Sequence, residues 1–185
     1  MISEPAPDTI DRDVRVGLDL VVRFLHEEIT ALRSAGVPVG EDDYRGLYIP
    51  DSEVDRLLAG RRLPSGRPPL SPSASALREE LASLVAGSSG RLHRLVRLGP
   101  LGPFEVGALL LCLASEVESG VERLLAFAQD DVTRRRPRVD LLLRLFGDAG
   151  YGERDAFLPQ APLLRLRLIT LLDEPGQPST PLASR

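Results

Sequence analysis

Lysine, asparagine and tryptophan are absent from this chain, and cysteine occurs once, at Cys112. Without lysine there is no Gly-rich turn leading into Gly-Lys-Ser or Gly-Lys-Thr, so the phosphate cradle of a P-loop nucleotide site is missing. One cysteine excludes an intrachain disulfide and fits a reducing cytoplasm. Cys112 lies in the apolar run Ala108 to Ala114, where a small packed thiol is the expected reading. The two histidines, His26 and His93, are far apart, and no carboxylate-histidine set has metal-ligand spacing, so no metal is expected. A Gly-x-Ser-x-Gly nucleophile elbow is also missing.

The 23 basic residues are all arginine, a pattern that coding bias of a GC-rich genome accounts for without selection at each site. Against 27 acidic residues they leave a formal charge of -4 and a pI near 5.3. That balance lacks the basic excess that drives counterion release from nucleic acid, so DNA is not the expected partner. Residues 1–13 are acidic and contain proline, unlike a signal peptide. The apolar run Val106 to Ala114 falls far short of the roughly 20 residues that span a bilayer. The expectation is a soluble, cytoplasmic protein whose 43% hydrophobic content suffices to bury a core.

Ile10, Val14, Leu18, Val21, Leu25, Ile29 and Leu32 recur at intervals of three and four, which places them on one stripe of a long amphipathic helix. Asp8 or Thr9 suits its cap, Asp11 and Asp13 suit its positive N-terminal dipole, and Gly36 with Pro38 stops it. A loop and a short capped helix are expected between Asp42 and Gly60. Proline and serine dominate from there to Ser75, which reads as a linker. The division is a helical segment over 1–59, a linker over 60–75, a helical domain over 76–173 and a tail over 174–185.

After the linker, Leu77, Leu81, Leu84 and Val85 fit a helix ending near Gly87, and Leu92, Leu95, Val96 and Leu98 fit one ending at Gly99 and Pro100. Phe104 to Ala114 is apolar nearly all round and should be the central helix. Val117 to Gln129 and Val139 to Phe146 supply two more, the second with Pro137 near its first turn. Leu166 to Leu172 ahead of Asp173-Glu174-Pro175-Gly176 reads as a strand entering a turn, whose returning strand would be cut at Arg185. The chain is thus expected to stop inside or just before a structural unit. The run Leu168 to Glu174 has the form of a Walker B strand, with nothing to act on in the absence of a phosphate cradle.

The most distinctive run is Gln129-Asp130-Asp131-Val132-Thr133-Arg134-Arg135-Arg136-Pro137. In a helical setting Asp130 and Asp131 would pair with Arg134 and Arg135 four residues on. Alternatively, the arginines before the next helix offer contacts to phosphate or an acidic protein face.

That run, together with Gly102-Pro103-Phe104-Glu105, Leu109 to Glu116, Val139-Asp140-Leu141 and Ala161 to Arg165, resembles the winged-helix-like region that precedes the ATPase module in a group of bacterial AAA ATPases associated with extracellular contractile injection systems. The resemblance covers roughly Leu92 to Leu172. Leu125-Ala126-Phe127-Ala128 departs from the Tyr-Ala-Tyr-Leu-like run common before Gln-Asp-Asp in that family. The resemblance implies a mainly α fold with a winged-helix-like domain and a short, incomplete β-hairpin. It also implies ATP and Mg2+ chemistry in a longer parent protein, with no catalytic residue, cofactor or metal site in this chain. The expected partners are an injection-system component or neighbouring ATPase subunits, with Asp130, Asp131, Arg134, Arg135 and Arg136 as organising contacts. The rival expectation is a DNA-binding winged-helix regulator reading through the helix after Pro137.

Overall fold

A computed structural model describes residues 11–34, 72–147 and 152–172. Six α-helices of eight residues or more are described: α1 (Arg12–Ser34), α2 (Pro72–Gly87), α3 (Gly90–Leu98), α4 (Pro103–Val117), α5 (Ser119–Ala128) and α6 (Val139–Phe146). A 3-10 helix (Gly152–Phe157) and the single-turn α7 (Pro162–Arg165) follow. The fold is mainly α, and no strand is present among the described residues.

Helix α4 organises the rest. Pro103 sits in its first turn, where its missing N–H costs nothing, and the Glu105 carboxylate accepts the Gly102 N–H at 3.0 Å. Beyond that turn it is almost wholly apolar, and Val106, Ala108, Leu111 and Ala114 are fully enclosed. Helices α1, α2, α5 and α6 pack around it. The buried polar residue Ser115 is satisfied within the helix by donating to the Cys112 carbonyl at 2.7 Å.

The amphipathic stripe of α1 holds from Leu18 to Ile29, with Val14 and Leu32 partly buried and Ile10 outside the described residues, and it is broader than the spacing predicts. Leu18, Val21, Leu25 and Ile29 are buried, joined by Gly17, Leu20 and Phe24. Phe24 meets Phe146 of α6 edge to face at 5.0 Å between ring centres. Helix α1 therefore shares one core with residues 72–172, across the boundary drawn at the linker. The helix expected after that linker starts earlier than its apolar residues suggested, with Pro72 rather than Ser75 at its threshold. Segments 35–71, including the expected short helix, and 173–185, including Asp173, Glu174 and the returning strand, lie outside the described residues.

Polar contacts fix how α1 is seated. Arg23 makes a bidentate pair with Glu80 of α2, at 2.5 and 3.0 Å, and Glu28 accepts from Arg144 of α6 at 3.0 Å. The Arg33 guanidinium lies 5.2 Å from the ring centre of Phe127. At the other end the two early acids serve α3 as well as α1. Asp11 caps α1: its Oδ1 accepts the Asp13 N–H at 3.3 Å, and its Oδ2 accepts the Arg91 N–H at 2.5 Å; the expected caps Asp8 and Thr9 lie outside the described residues. Asp13 accepts from the Ser89 N–H at 2.6 Å and the Ser89 hydroxyl at 2.9 Å. Two of the N–H groups that open α3, those of Ser89 and Arg91, are thus satisfied by carboxylates at the start of α1. Gly90 makes this possible, because its backbone is left-handed at φ 60 and a Cβ there would collide with the Asp11 carboxylate.

The strand expected over Leu166 to Leu172 does not form in its first half. Arg167 adopts a left-handed φ of 54, and the N–H groups of Leu168 and Ile169 both donate to the Leu163 carbonyl, at 2.9 and 3.3 Å. The backbone curls back onto α7 because those donors are spent locally and are not available to a ladder.

Two outcomes follow from this packing. A Cβ on Gly107 would lie 2.8 Å from the Phe146 ring and 3.1 Å from Leu81, whereas one on Gly120 meets nothing within 4 Å. Chemical denaturation should show Gly107→Ala destabilised, overpacking of about 1–3 kcal/mol outweighing the gain of about 1 kcal/mol in helix propensity, and Gly120→Ala stabilised by about 0.4–1 kcal/mol. The bonds from Ser89 hold the Asp13 carboxyl below the ordinary aspartate value of 3.8. A depressed carboxylate stabilises the fold above its unfolded value and loses that contribution as pH falls through the folded one. The Ser89 amide resonance should titrate with a midpoint below 3.8, and the transition should vanish in Asp13→Asn.

Candidate interaction site: the loop between α5 and α6

Helix α5 ends in a reversal made without glycine. Asp130 stands where glycine is common, in the left-handed region at φ 53, and donates its N–H to the Phe127 carbonyl at 3.1 Å. The Asp131 N–H reaches the Ala126 carbonyl at 3.0 Å. Together these are the two bonds of a Schellman cap, and aspartate is among the few non-glycine residues that tolerate the conformation. The chain has left the helix by this point, so the expected pairing of Asp130 with Arg134 and Asp131 with Arg135 across a helical turn does not occur.

A tight turn replaces it. Asp131 Oδ1 accepts from the Thr133 N–H at 2.9 Å and the Thr133 hydroxyl at 2.6 Å, while Oδ2 pairs with Arg134 Nε at 2.7 Å. These bonds from Thr133, with the Arg134 guanidinium beside them, hold the Asp131 carboxyl below the usual aspartate range. Arg136 reaches Glu116 of α4 at 3.5 Å, and Arg138 lies 3.6 Å from Asp140. Arg135 is exposed and makes no ion pair among the described residues. Val132 is 84% exposed at the outer bend.

The residue that closes the loop is Gln129, which the charge pattern does not single out. Its Nε2 donates to the carbonyls of Arg134 and Arg136, both at 3.0 Å, and its Oε1 accepts the Arg138 N–H at 2.8 Å. One amide side chain thus bridges both ends of the loop and fixes the residue that precedes α6. The available signal was that glutamine is the residue type with one acceptor and two donors at the end of a three-carbon reach, placed where a helix must stop. Pro137 lies outside α6, one residue before its N-cap Arg138.

Helix α6 itself is nearly used up by the fold. Leu141, Leu142, Leu145 and Phe146 are buried, and Val139 and Leu143 pack partly against the core. Arg144 pairs with Glu28 and donates to the Ala128 carbonyl at 3.1 Å, capping α5 from outside. Among the other groups, Cys112 of α4 is half-buried, and burial pushes its thiol up to about 11, so it stays protonated near neutrality. His26 and His93 are exposed on α1 and α3. No cluster of three or more His, Cys, Asp or Glu able to hold a metal occurs among the described residues. No helix there is long and apolar enough to cross a membrane.

Comparison with known proteins gives one assignment. A family model described as winged helix domain, variant, matches residues 71–185. No curated protein and no solved structure matches the chain.

The loop geometry makes Gln129 the residue to test. Gln129→Glu keeps an acceptor for the Arg138 N–H but faces two carbonyls with a carboxylate in place of an amide donor. Denaturant unfolding should register a loss of about 1–3 kcal/mol, since carbonyl acceptors are left unmatched. Faster amide exchange at Arg134 and Arg138 than at α4 would localise the damage to the loop.

Proposed function

The chain belongs to the winged helix domain, variant, family, and from that premise we propose that it is a non-catalytic, protein-binding regulatory module. Winged-helix domains are DNA- or protein-binding modules, and the loop between α5 and α6 favours the protein-binding role. It is held by a Schellman cap, an aspartate turn and the Gln129 bridge, so Val132 and Arg135 project from a backbone fixed before any partner arrives. Such preorganisation lowers the ordering entropy that binding costs.

The arrangement gives DNA less to work with. A reading helix needs several polar side chains free to meet base edges. On α6 the long polar side chains are Asp140, an acid, and Arg144, which is engaged by Glu28 and Ala128. The arginines before it face Asp131, Glu116 and Asp140, which reduces the local positive field.

The wider context rests on the resemblance of Phe104 to Pro137 to the region preceding the ATPase module of AAA ATPases linked to contractile injection systems. In this reading the module belongs to the cytoplasmic part of a longer ATP- and Mg2+-dependent machine. It engages an injection-system component or a neighbouring ATPase subunit, and Asp131 and Arg134 hold the loop while Arg135 and Arg136 meet the partner.

Affinity capture with the 185-residue chain against purified injection-system components and their ATPase tests this. Retention of one of them, weakened by Arg135→Glu and by Val132→Ser without change in thermal stability, is the expected result. Failure to bind any of them in any nucleotide state, or salt-sensitive DNA binding lost in the same variants, would remove the reading.

A further inference from the structure

A second surface, distant in sequence from the loop, carries its own charge pattern. From Leu81 to Phe104 and again from Ala156 to Leu172 the chain contains no aspartate or glutamate, although the protein as a whole has 27 acids against 23 bases. The fold brings these two stretches together. Phe104 meets Phe157 edge to face at 5.8 Å. Leu166 lies so close over Gly99 that a Cβ on that residue would sit 2.7 Å from its methyl group.

Helix α3 turns Leu92 inward and leaves Arg91, His93, Arg94, Arg97 and Leu98 on its outward half. At 100° per residue, Leu98 falls between Arg91 and Arg94 on that half. The end of α7 and the turn after it add Arg165, Leu166 and Arg167, all exposed, beside the C-terminal end of α3. None of the five arginines forms an ion pair among the described residues, in contrast to Arg23, Arg134, Arg136 and Arg144. Two leucines stand among them, Leu98 at 71% and Leu166 at 36% exposure.

We propose that this face, formed by α3 and the turn after α7, is a docking surface for an acidic amphipathic segment of a partner protein, with carboxylates meeting the arginines and an apolar side chain covering Leu98 and Leu166. The charge is complementary to acid and the leucines supply an apolar centre within a polar rim, the usual anatomy of a protein interface. Nucleic acid fits less well, because phosphate offers nothing to exposed leucines and the face carries no exposed aromatic besides His93 on which a base would stack. A lipid surface fits less well too, because the apolar side of α3 faces the core and is not free to enter a bilayer. The inference shares with the functional reading only the premise of a protein-binding module and does not use the loop.

A synthetic helical peptide of glutamates with leucines at every third or fourth position is the probe, titrated by fluorescence anisotropy against the full chain. A charge-reversed peptide, polyglutamate, duplex DNA and phosphatidylserine vesicles are the comparators. The acidic leucine peptide should bind best. Arg94→Glu combined with Arg97→Glu should weaken it about tenfold or more, and Leu98→Ser several-fold, with rising salt acting mainly on the charge contribution. Circular dichroism checks that these exposed substitutions leave the fold intact, and Arg135→Glu in the other loop should leave peptide binding unchanged. Absence of peptide binding, binding indifferent to the α3 variants, or tighter binding of DNA or vesicles through the same arginines would overturn the proposal.

Discussion

Helix α4 is apolar nearly all round, and the architecture follows from the need to bury most of it, leaving Leu113, Glu116 and Val117 as its exposed side. Its enclosure requires four other helices, and one of them, α1, comes from the far side of a proline-rich stretch. The close crossings depend on small residues: Gly107 admits the Phe146 ring, and that ring in turn meets Phe24 of α1. Hydrophobic burial supplies the main driving force, but it is non-directional. Orientation comes from the polar ties around the rim, Arg23 to Glu80, Glu28 to Arg144, and the two acids at the start of α3.

The same economy shapes the two exposed sites. Arg144 contributes to the fold twice, once through Glu28 and once by capping α5, which removes it from any recognition surface. Gln129 does comparable work in the next loop, so that Asp131 and Arg134 are occupied while Val132 and Arg135 face outward. On α3 the opposite holds. Its helix start is satisfied by α1, its inner face by the core, and its arginines are left with no acid nearby in sequence.

Much of the fold was legible in the periodicity. The ends of α2 at Gly87, of α3 before Gly99 and both ends of α6 coincide with the expected helices, because glycine, proline and heptad-like spacing act over a few residues. The site was legible only as a stretch of chain. Its charges were paired in the wrong register, since a spacing of four implies contact only if the helix continues, and the Asp130 reversal ends it. The strand expected at Leu166 failed for a similar reason: an apolar run says that side chains are buried, not whether the backbone is extended, and Leu163 captured the donors first.

By itself, then, the sequence determined the helices, the apolar character of α4 and the absence of a P-loop, all properties of residue type and short-range spacing. Tertiary structure alone decided that α1 joins the core, that Asp11 and Asp13 cap a helix some 80 residues away, and that Gln129 rather than an arginine holds the loop together. Those outcomes depend on which groups remain unsatisfied once the core has formed, and no local pattern carries that information.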